Sequence, residues 1–189
     1  MHFYKNSVYS FAELSNVKFV DLIGSKNMRL SFPLITRSDE AFLFALYAST
    51  RTNEMALVPW SNEQKTFFLQ SQFQAQHQHY LSEYPHGKFQ TINSNDQKIG
   101  RLYVCDLKNE IQIIDLTLLP EFRGQGIGTQ IITDILQTAE KPVQIYLESF
   151  NQSINLFTRL GFQMISEEGI YGLWEYQASE KLKANVFGK

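Results

Sequence analysis

The sequence has little cysteine and no long apolar run. Cys105 is the only cysteine, which excludes a disulfide within the chain and a metal site of the Cys-x-x-Cys type. No stretch approaches the roughly 18 consecutive apolar residues of a membrane span. The first residues lack the basic and then apolar segments of a secretory signal peptide. We therefore expect a cytoplasmic protein without a membrane partner.

An excess of positive charge is also missing. The formal net charge is −2, and charged residues make up 19% of the sequence, below the roughly 25% usual in soluble domains. A nucleic-acid-binding domain would normally carry a basic patch, so no nucleic-acid partner is expected. With 189 residues, 43% of them hydrophobic, the chain can form one domain with a substantial core.

The spacing of apolar residues predicts helices and strands that alternate along the chain. We expect an N-terminal extension over 1–27, one domain over 28–177 and a polar tail over 178–189. The interval from Arg51 to Trp60 is predicted to be a loop. Ser38 is predicted to cap the first helix, Ser61 and Gln64 to form a capping box at the start of the second, and Gly161 to end the last helix in the left-handed conformation. Predicted strands are Met28–Thr36, Lys88–Ile92, Lys98–Leu107, Glu110–Leu119, Val143–Glu148, Phe162–Ile165 and Tyr171–Tyr176; predicted helices are 39–48, 61–84, 127–141 and 154–160. This order indicates a mixed α+β fold.

A glycine-dense loop joins the strand ending at Leu119 to the helix beginning at Ile127. Three glycines, Gly124, Gly126 and Gly128, fall within five residues. Backbone N–H groups at such a loop and at a helix N-terminus form a binding place for phosphate. The spacing does not fit the G-x-G-x-x-G dinucleotide motif, and no lysine precedes Thr129 as a Walker A loop requires.

The motif Arg123-x-x-Gly126-x-Gly128, with Pro120 three residues before the arginine, resembles the pyrophosphate loop of the GNAT family of N-acetyltransferases. The segment from Asn151 to Leu160-Gly-Phe162 is similar to that family's N-x-A-x-x-L-Y-x-x-L-G-F segment, and the element order agrees. The resemblance implies a mostly antiparallel sheet of six to seven strands, splayed between the fourth and fifth, with about four helices around it.

The resemblance also implies acetyl-CoA as co-substrate and no metal. The donor would bind in the splay and on the loop, and the N–H of Leu118 would polarise the thioester carbonyl. The side chain of Arg123 either reaches a phosphate or packs on the protein. Cofactor-binding residues implied in this way are Leu116, Thr117, Leu118, Arg123, Gly124, Gln125, Gly126, Ile127, Gly128, Thr129 and Asn151.

Acetyl transfer to an amine requires the neutral nucleophile, so a general base is useful. Glu148, Asp115 and Glu110 are candidates, and a water chain without a dedicated base is the alternative. Phe157 stands where many family members have a tyrosine that protonates the leaving thiolate. Tyr146, Tyr171 or water could replace that tyrosine, and we do not expect Phe157→Tyr to reduce turnover greatly. A covalent route through Cys105 is not expected.

In this interpretation, the acetyl group passes directly to an amine of a small molecule or peptide within a ternary complex. Candidate acceptor-site residues are Tyr47, Arg51, Glu54 and Trp60, which could contact an ammonium through rings and carboxylates. His77 and His79 are also candidates, but their spacing does not suit metal binding. The alternative is a non-catalytic acyl-CoA-binding or regulatory module with the same fold, and the chain could form a homodimer.

Overall fold

A computed structural model describes residues 22–24 and 28–178 of the chain. The predicted polar tail lies outside the described residues from 179 onward, and so does most of the predicted N-terminal extension. The division into an extension, a domain and a tail therefore stays a prediction. Within the described residues, no helix combines the length and the apolar character needed to cross a bilayer.

One sheet contains every strand of the described residues. Its order is β1-β2-β3-β4-β5-β6-β8-β7, and all neighbours are antiparallel except β5 and β6. The strands are β1 (Leu22–Gly24), β2 (Met28–Ser31), β3 (Lys88–Ser94), β4 (Gln97–Asp106), β5 (Ile111–Leu118), β6 (Val143–Glu148), β7 (Gln163–Glu168) and β8 (Tyr171–Tyr176). The α+β class is confirmed. Seven strands lie in 28–178, and β1 adds an eighth at the edge.

Five α-helices flank the sheet in the described residues. They are α1 (Glu40–Thr50), α2 (Thr52–Ala56), α3 (Asn62–Glu83), α4 (Ile127–Thr138) and α5 (Ile154–Arg159). Single turns of 3₁₀ helix precede α1 at Arg37–Asp39 and α4 at Pro120–Phe122. The prediction of a loop from Arg51 to Trp60 was wrong over Thr52–Ala56, because five residues are too few to show a helical period.

The two predicted helix caps had different outcomes. At α3, the Gln64 N–H donates to Ser61 Oγ at 3.3 Å, and the Ser61 N–H donates to Gln64 Oε1 at 2.9 Å, which confirms the predicted capping box. Ser38 does not cap the first helix. Thr36 begins the turn there, since Asp39 Oδ2 accepts from the Thr36 N–H at 2.6 Å and from its hydroxyl at 2.9 Å.

The sheet separates two apolar layers. On one face, α4 and α5 pack their apolar side chains on the strands, and Ile131, Ile132, Ile113 and Val143 are fully buried there. On the other face, α1 and α3 pack on each other through the buried cluster Leu43, Tyr47, Leu69 and Phe73. Because helices cover both faces of the sheet, its backbone polar groups can reach a ligand only at the strand edges.

β5 and β6 run parallel and separate after three residue pairs, of which the last is Ile113 with Ile145. The remainder of β5, residues 114–118, has no partner on β6, so the predicted splay is confirmed. At the same place β5 bulges against β4: Tyr103 pairs with Asp115 and Val104 pairs with Ile113, which leaves Ile114 as the extra residue. Bulges of this kind re-aim the side chains that follow them.

Candidate active site

The open edge of β5 presents backbone groups to the gap between β5 and β6. The N–H of Leu119 donates to the carbonyl oxygen of Ile99 on β4 at 2.8 Å. Alternate residues of an antiparallel strand bond the same neighbour, so Thr117 turns its backbone groups toward β4. Leu116 and Leu118 therefore direct their N–H and C=O groups into the gap. An extended ligand can pair with such an edge as an added strand.

The glycine loop lies directly after this edge and leads into α4. Gly124 has φ +69° and Gly126 has φ +83°, a conformation that glycine adopts without strain. The first helical bond runs from the Gln130 N–H to the Gly126 oxygen at 2.9 Å. Over the part of the chain that the structure describes, the N–H groups of residues 124–129 donate no hydrogen bond to a backbone oxygen of a turn or loop. Together with the dipole of α4, these groups form a site for an anion.

Arg123 turns away from the open side of the loop. Its Nε donates to the carbonyl oxygen of Leu118 at 2.7 Å, and Nη2 lies 3.5 Å from Ser49 Oγ at the end of α1. For the Arg123 side chain, this geometry favours packing on the protein over binding a phosphate. Gln125 similarly donates to the Glu121 oxygen at 2.6 Å, so neither side chain covers the loop amides.

Asp115 is the carboxylate of a buried ion pair. Its Oδ2 lies 2.6 Å from Nη2 of Arg101, and the two side chains are 11% and 3% exposed. Tyr80 donates to the same oxygen at 3.4 Å, and Thr117 donates to Oδ1 at 2.6 Å. Both oxygens of Asp115 are thus used within the protein, which weakens its case as the general base.

Arg101 and Tyr80, which contact Asp115, and Gln76, which contacts Arg101, were not predicted from the sequence. Arg101 also donates to Gln76 Oε1 at 2.9 Å. Burial by itself lowers the pKa of Arg101, but the Asp115 carboxylate outweighs burial, and the pKa of Arg101 lies above its ordinary value. The sequence signal for this ion pair is an arginine inside the apolar run of β4, because fully buried charges are nearly always paired.

Glu148 lies at the end of β6, half-buried and beside Tyr171 of β8. The Tyr171 hydroxyl donates to Glu148 Oε1 at 3.3 Å. Burial and the negative charge of Glu148 raise the pKa of Tyr171, and Arg51 opposes them. Glu110, the third candidate carboxylate, precedes Ile111 at the opposite end of β5, where the strands are still paired. Asp115 forms an ion pair with the buried Arg101, and Glu110 lies away from the splay. Glu148 is therefore the best placed of the three candidate carboxylates.

Three of the four predicted acceptor-site residues come together next to Glu148. The guanidinium of Arg51 lies 5.8 Å from the centre of the Tyr47 ring and 3.0 Å from Glu54 Oε1. It also interacts electrostatically with Glu148. Trp60 is not part of this group, because its ring packs edge-to-face on Phe68 of α3 with the centroids 5.4 Å apart.

Phe157 is part of the core. It is 3% exposed, and its ring meets Phe162 edge-to-face with the centroids 5.1 Å apart. Asn151 forms a turn before α5, where its Oδ1 accepts from the Ser153 N–H at 2.8 Å. Gly161, with φ +93°, ends α5 as predicted. These contacts account for the packing of the segment 151–162, which carried the family resemblance. Tyr146, which is 54% exposed, and Tyr171 remain the candidates to replace the tyrosine hydroxyl that Phe157 lacks.

The two histidines of α3 are separated by their surroundings. His77 stacks on Phe73 with ring centroids 5.6 Å apart, and burial followed by the charge of Arg101 lowers the pKa of His77. His79 contacts Tyr80 instead. No group of three or more His, Cys, Asp or Glu side chains within 22–24 and 28–178 is arranged to hold a metal ion.

Comparison with solved structures finds the same fold in several acetyltransferases. The PaiA N-acetyltransferase of Thermoplasma acidophilum, solved with coenzyme A, aligns with a TM-score of 0.59 at 14% identity over 78% of this chain and 98% of its own. An acetyltransferase of Thermus thermophilus gives 0.57 at 13% identity, over 78% and 96%. The PseH N-acetyltransferase of Campylobacter jejuni, solved with acetyl-coenzyme A, gives 0.51 at 13% identity, over 79% and 99%. Identities this low show likeness of fold alone.

Comparison with curated proteins gives no match. A sequence model of the acetyltransferase (GNAT) family, in contrast, matches residues 54–162. This match spans more than half of the 189 residues. It includes α3, the splayed strands, the glycine loop and the segment ending at Phe162. The chain therefore belongs to the acetyltransferase (GNAT) family.

Proposed function

We propose that the protein is an acetyl-CoA-dependent N-acetyltransferase that acetylates a primary amine of a small molecule or peptide. The observation that carries this proposal is the edge of β5 at Leu116 and Leu118, which has no partner on β6 and opens beside the amides of the glycine loop. A ligand that fits both features has an extended arm able to pair with a strand and a diphosphate at one end. Acetyl-CoA has both parts.

Donor binding follows from these two features. The pyrophosphate lies on the N–H groups of the loop residues 124–129, where the dipole of α4 contributes roughly 0.3–1 kcal/mol. The pantetheine arm pairs with the backbone of Leu116 and Leu118. The N–H of Leu118 then donates to the thioester oxygen, which gains negative charge as the bond to the amine forms.

Glu148 is the proposed general base. An alkyl amine with a pKa near 10.4 is neutral in about one molecule in two thousand at pH 7, so the enzyme gains from accepting its proton. The amine nitrogen attacks the carbonyl carbon, its proton passes to Glu148 directly or through water, and the carbon–sulfur bond breaks. The thiolate takes a proton from solvent. Asp115 is less suited, since both of its oxygens already accept hydrogen bonds, Oδ2 from Arg101 and Tyr80 and Oδ1 from Thr117.

The second candidate function is a non-catalytic acyl-CoA-binding module. The observation that favours it is Phe157, which supplies no hydroxyl at the family's tyrosine position and is buried against Phe162. A thiolate is a tolerable leaving group without such help, because thiols titrate near 8.5. Phe157 therefore does not decide between the two functions.

The test is release of free CoA from acetyl-CoA over a panel of polyamines, amino acids, aminoglycosides and peptides. The proposed enzyme gives acceptor-dependent release, and Glu148→Gln lowers kcat by about 10²–10⁴-fold with little change in the Kd for acetyl-CoA. Asp106→Asn is the matched control, since Asp106 forms an exposed pair with Lys141. Measurable acetyl-CoA binding with no release for any acceptor would favour the binding module.

A further inference from the structure

Two hydrogen bonds to Asp115 have a fixed direction. Arg101 carries only donors, and an ionised carboxylate carries only acceptors. Oδ2 of Asp115 accepts from Arg101 at 2.6 Å, and Oδ1 lies 2.6 Å from Thr117 Oγ1. The hydroxyl of Thr117 must therefore donate its one proton to Asp115. Its oxygen is left with lone pairs, so toward any other group Thr117 acts only as an acceptor.

Thr117 lies close to the proposed site of the thioester. It is the residue before Leu118, and it pairs in register with Arg101 on β4. Its side chain shares the face of Asp115 and lies opposite to the face that α4 covers. Glu148 extends on the same face, because Ile145 and Leu147 of β6 point into the α4 core. Thr117 is half-exposed, whereas Arg101, its cross-strand partner on β4, is buried.

We propose that Oγ1 of Thr117 accepts a hydrogen bond from the acceptor amine and holds the nitrogen next to the thioester. This inference rests on the proposed acetyltransferase function. A neutral primary amine has two N–H groups and one lone pair. One N–H bonds to Thr117, the other faces Glu148 and gives up its proton, and the lone pair attacks the carbonyl carbon. The ion pair with Arg101 keeps Asp115 as a permanent acceptor, and Asp115 keeps the Thr117 proton turned inward.

The two hydrogen bonds proposed for the acceptor amine require two N–H groups on its nitrogen, and this requirement gives the site a substrate preference. A secondary amine has a single N–H and cannot serve both Thr117 and Glu148. One of the two contacts is then lost in the transition state, and a site built to pair a polar group disfavours a substrate that leaves it unpaired. The inferred substrate is therefore a primary amine, and its N-methyl derivative is acetylated more slowly.

The experiment compares an active primary amine with its N-methyl derivative on the wild-type chain, Thr117→Val, Thr117→Ser and Thr138→Val. Valine keeps the shape of threonine without the hydroxyl, and serine keeps the hydroxyl. Thr138 is the control, because its hydroxyl bonds only to carbonyl oxygens within α4. The Kd for acetyl-CoA and the unfolding midpoint are measured for each protein.

We expect Thr117→Val to lose about tenfold or more in kcat/KM for the primary amine, with an unchanged Kd for acetyl-CoA. The N-methyl acceptor loses less, so the preference for the primary amine shrinks. Thr117→Ser and Thr138→Val stay near wild type. A hydroxyl with a structural role alone would affect both acceptors equally, and that result would overturn the inference, as would a wild type without preference between them.

The wild-type measurement separates this inference from the function on which it rests. A wild type that releases no CoA with any acceptor would overturn both. A wild type that is active and prefers primary amines, with Thr117→Val keeping full kcat/KM, would overturn the role of Thr117 and leave the acetyltransferase function intact. If Thr117→Val fails to fold, Thr117→Ala serves in its place, and the preference of the wild type is unaffected.

Discussion

Arg123 and Leu118 join the glycine loop to the open edge of β5. The Arg123 Nε donates to the Leu118 carbonyl oxygen at 2.7 Å, while the next N–H along the chain, that of Leu119, donates to Ile99 of β4 at 2.8 Å. The peptide between Leu118 and Leu119 is thus held from both sides. Because the N–H of Leu118 precedes this peptide directly, Arg123 helps to orient the proposed oxyanion donor.

We expect Arg123→Met to lower kcat by about tenfold, roughly the effect of losing one oriented hydrogen bond, while the Kd for acetyl-CoA changes less than threefold. Arg159→Met is the control, since the Arg159 Nε bonds to Asn155 within its own helix at 3.2 Å. Steady-state kinetics and calorimetric titration separate the two quantities. A large loss of acetyl-CoA affinity with unchanged kcat would show instead that the Arg123 side chain binds phosphate.

Gly126 and Gly169 form a matched pair for the anion site. Both have positive φ, +83° and +61°, and an added Cβ would have no neighbour within 4 Å in either place. Gly126→Glu and Gly169→Glu should each lower the free energy of unfolding by about 1–2 kcal/mol. Only Gly126→Glu should abolish acetyl-CoA binding, since it adds negative charge where the pyrophosphate is proposed to lie. Equal affinity in the two variants would exclude this loop as the donor site.

Two ion pairs of the protein differ in burial. The side chains of Arg101 and Asp115 are 3% and 11% exposed, whereas those of Lys141 and Asp106 are 34% and 38% exposed. Arg101→Met leaves a buried carboxylate without its partner and should lower the free energy of unfolding by about 3–5 kcal/mol. Lys141→Met should lower it by less than about 1 kcal/mol. Urea denaturation measures both, and similar values for the two variants would contradict the structural role of Arg101.

Cys105 is buried on β4, and its thiol should take no part in transfer. Burial first, and then the charge of Asp106, raises the pKa of Cys105 from 9.0 to about 11. Since the folded pKa is the higher one, the neutral thiol stabilises the fold fully below pH 9, and this contribution is lost as the pH rises through 11. Cys105→Ala should keep turnover and show a smaller fall of unfolding free energy between pH 9 and 11. Loss of turnover would reopen a covalent route.

Local sequence signals predicted the elements that depend on local physics. Ser61 and Gln64 form their capping box at the predicted residues, and Gly161 ends α5 in the predicted left-handed conformation. α4 was found from its apolar spacing. The short helix α2 was missed, and Ser38 was preferred to Thr36 as a cap. Five residues are too few to show a helical period, and Thr36 and Ser38 are both residue types that can cap a helix.

The candidate site was predictable only in its donor half. The loop and the edge of β5 are contiguous in sequence, so one motif contains them. Asp115 was singled out, but its partner Arg101 is fourteen positions away on another strand, and the pair exists only in the register that the Ile114 bulge creates. Tyr171 reaches Glu148 through the pairing of β8 with β6. Such relationships depend on strand register, which no spacing in the sequence displays.

The extra residue at Ile114 has a consequence for how this chain can change. On β5, Ile113 and Leu116 point toward α4 although three positions separate them, whereas an unbroken strand would need an even separation. If Ile114 paired with β4 as a regular strand residue, Asp115 and Thr117 would exchange sides with Leu116 and Leu118. Two polar side chains would then be buried among isoleucines and two leucines would lie on the opposite face, whereas deletion of Ile114 would remove the bulge and keep both faces. The polar character of this face therefore depends on Ile114 staying outside the paired register of β4 and β5, as well as on the side chains of Asp115 and Thr117 themselves.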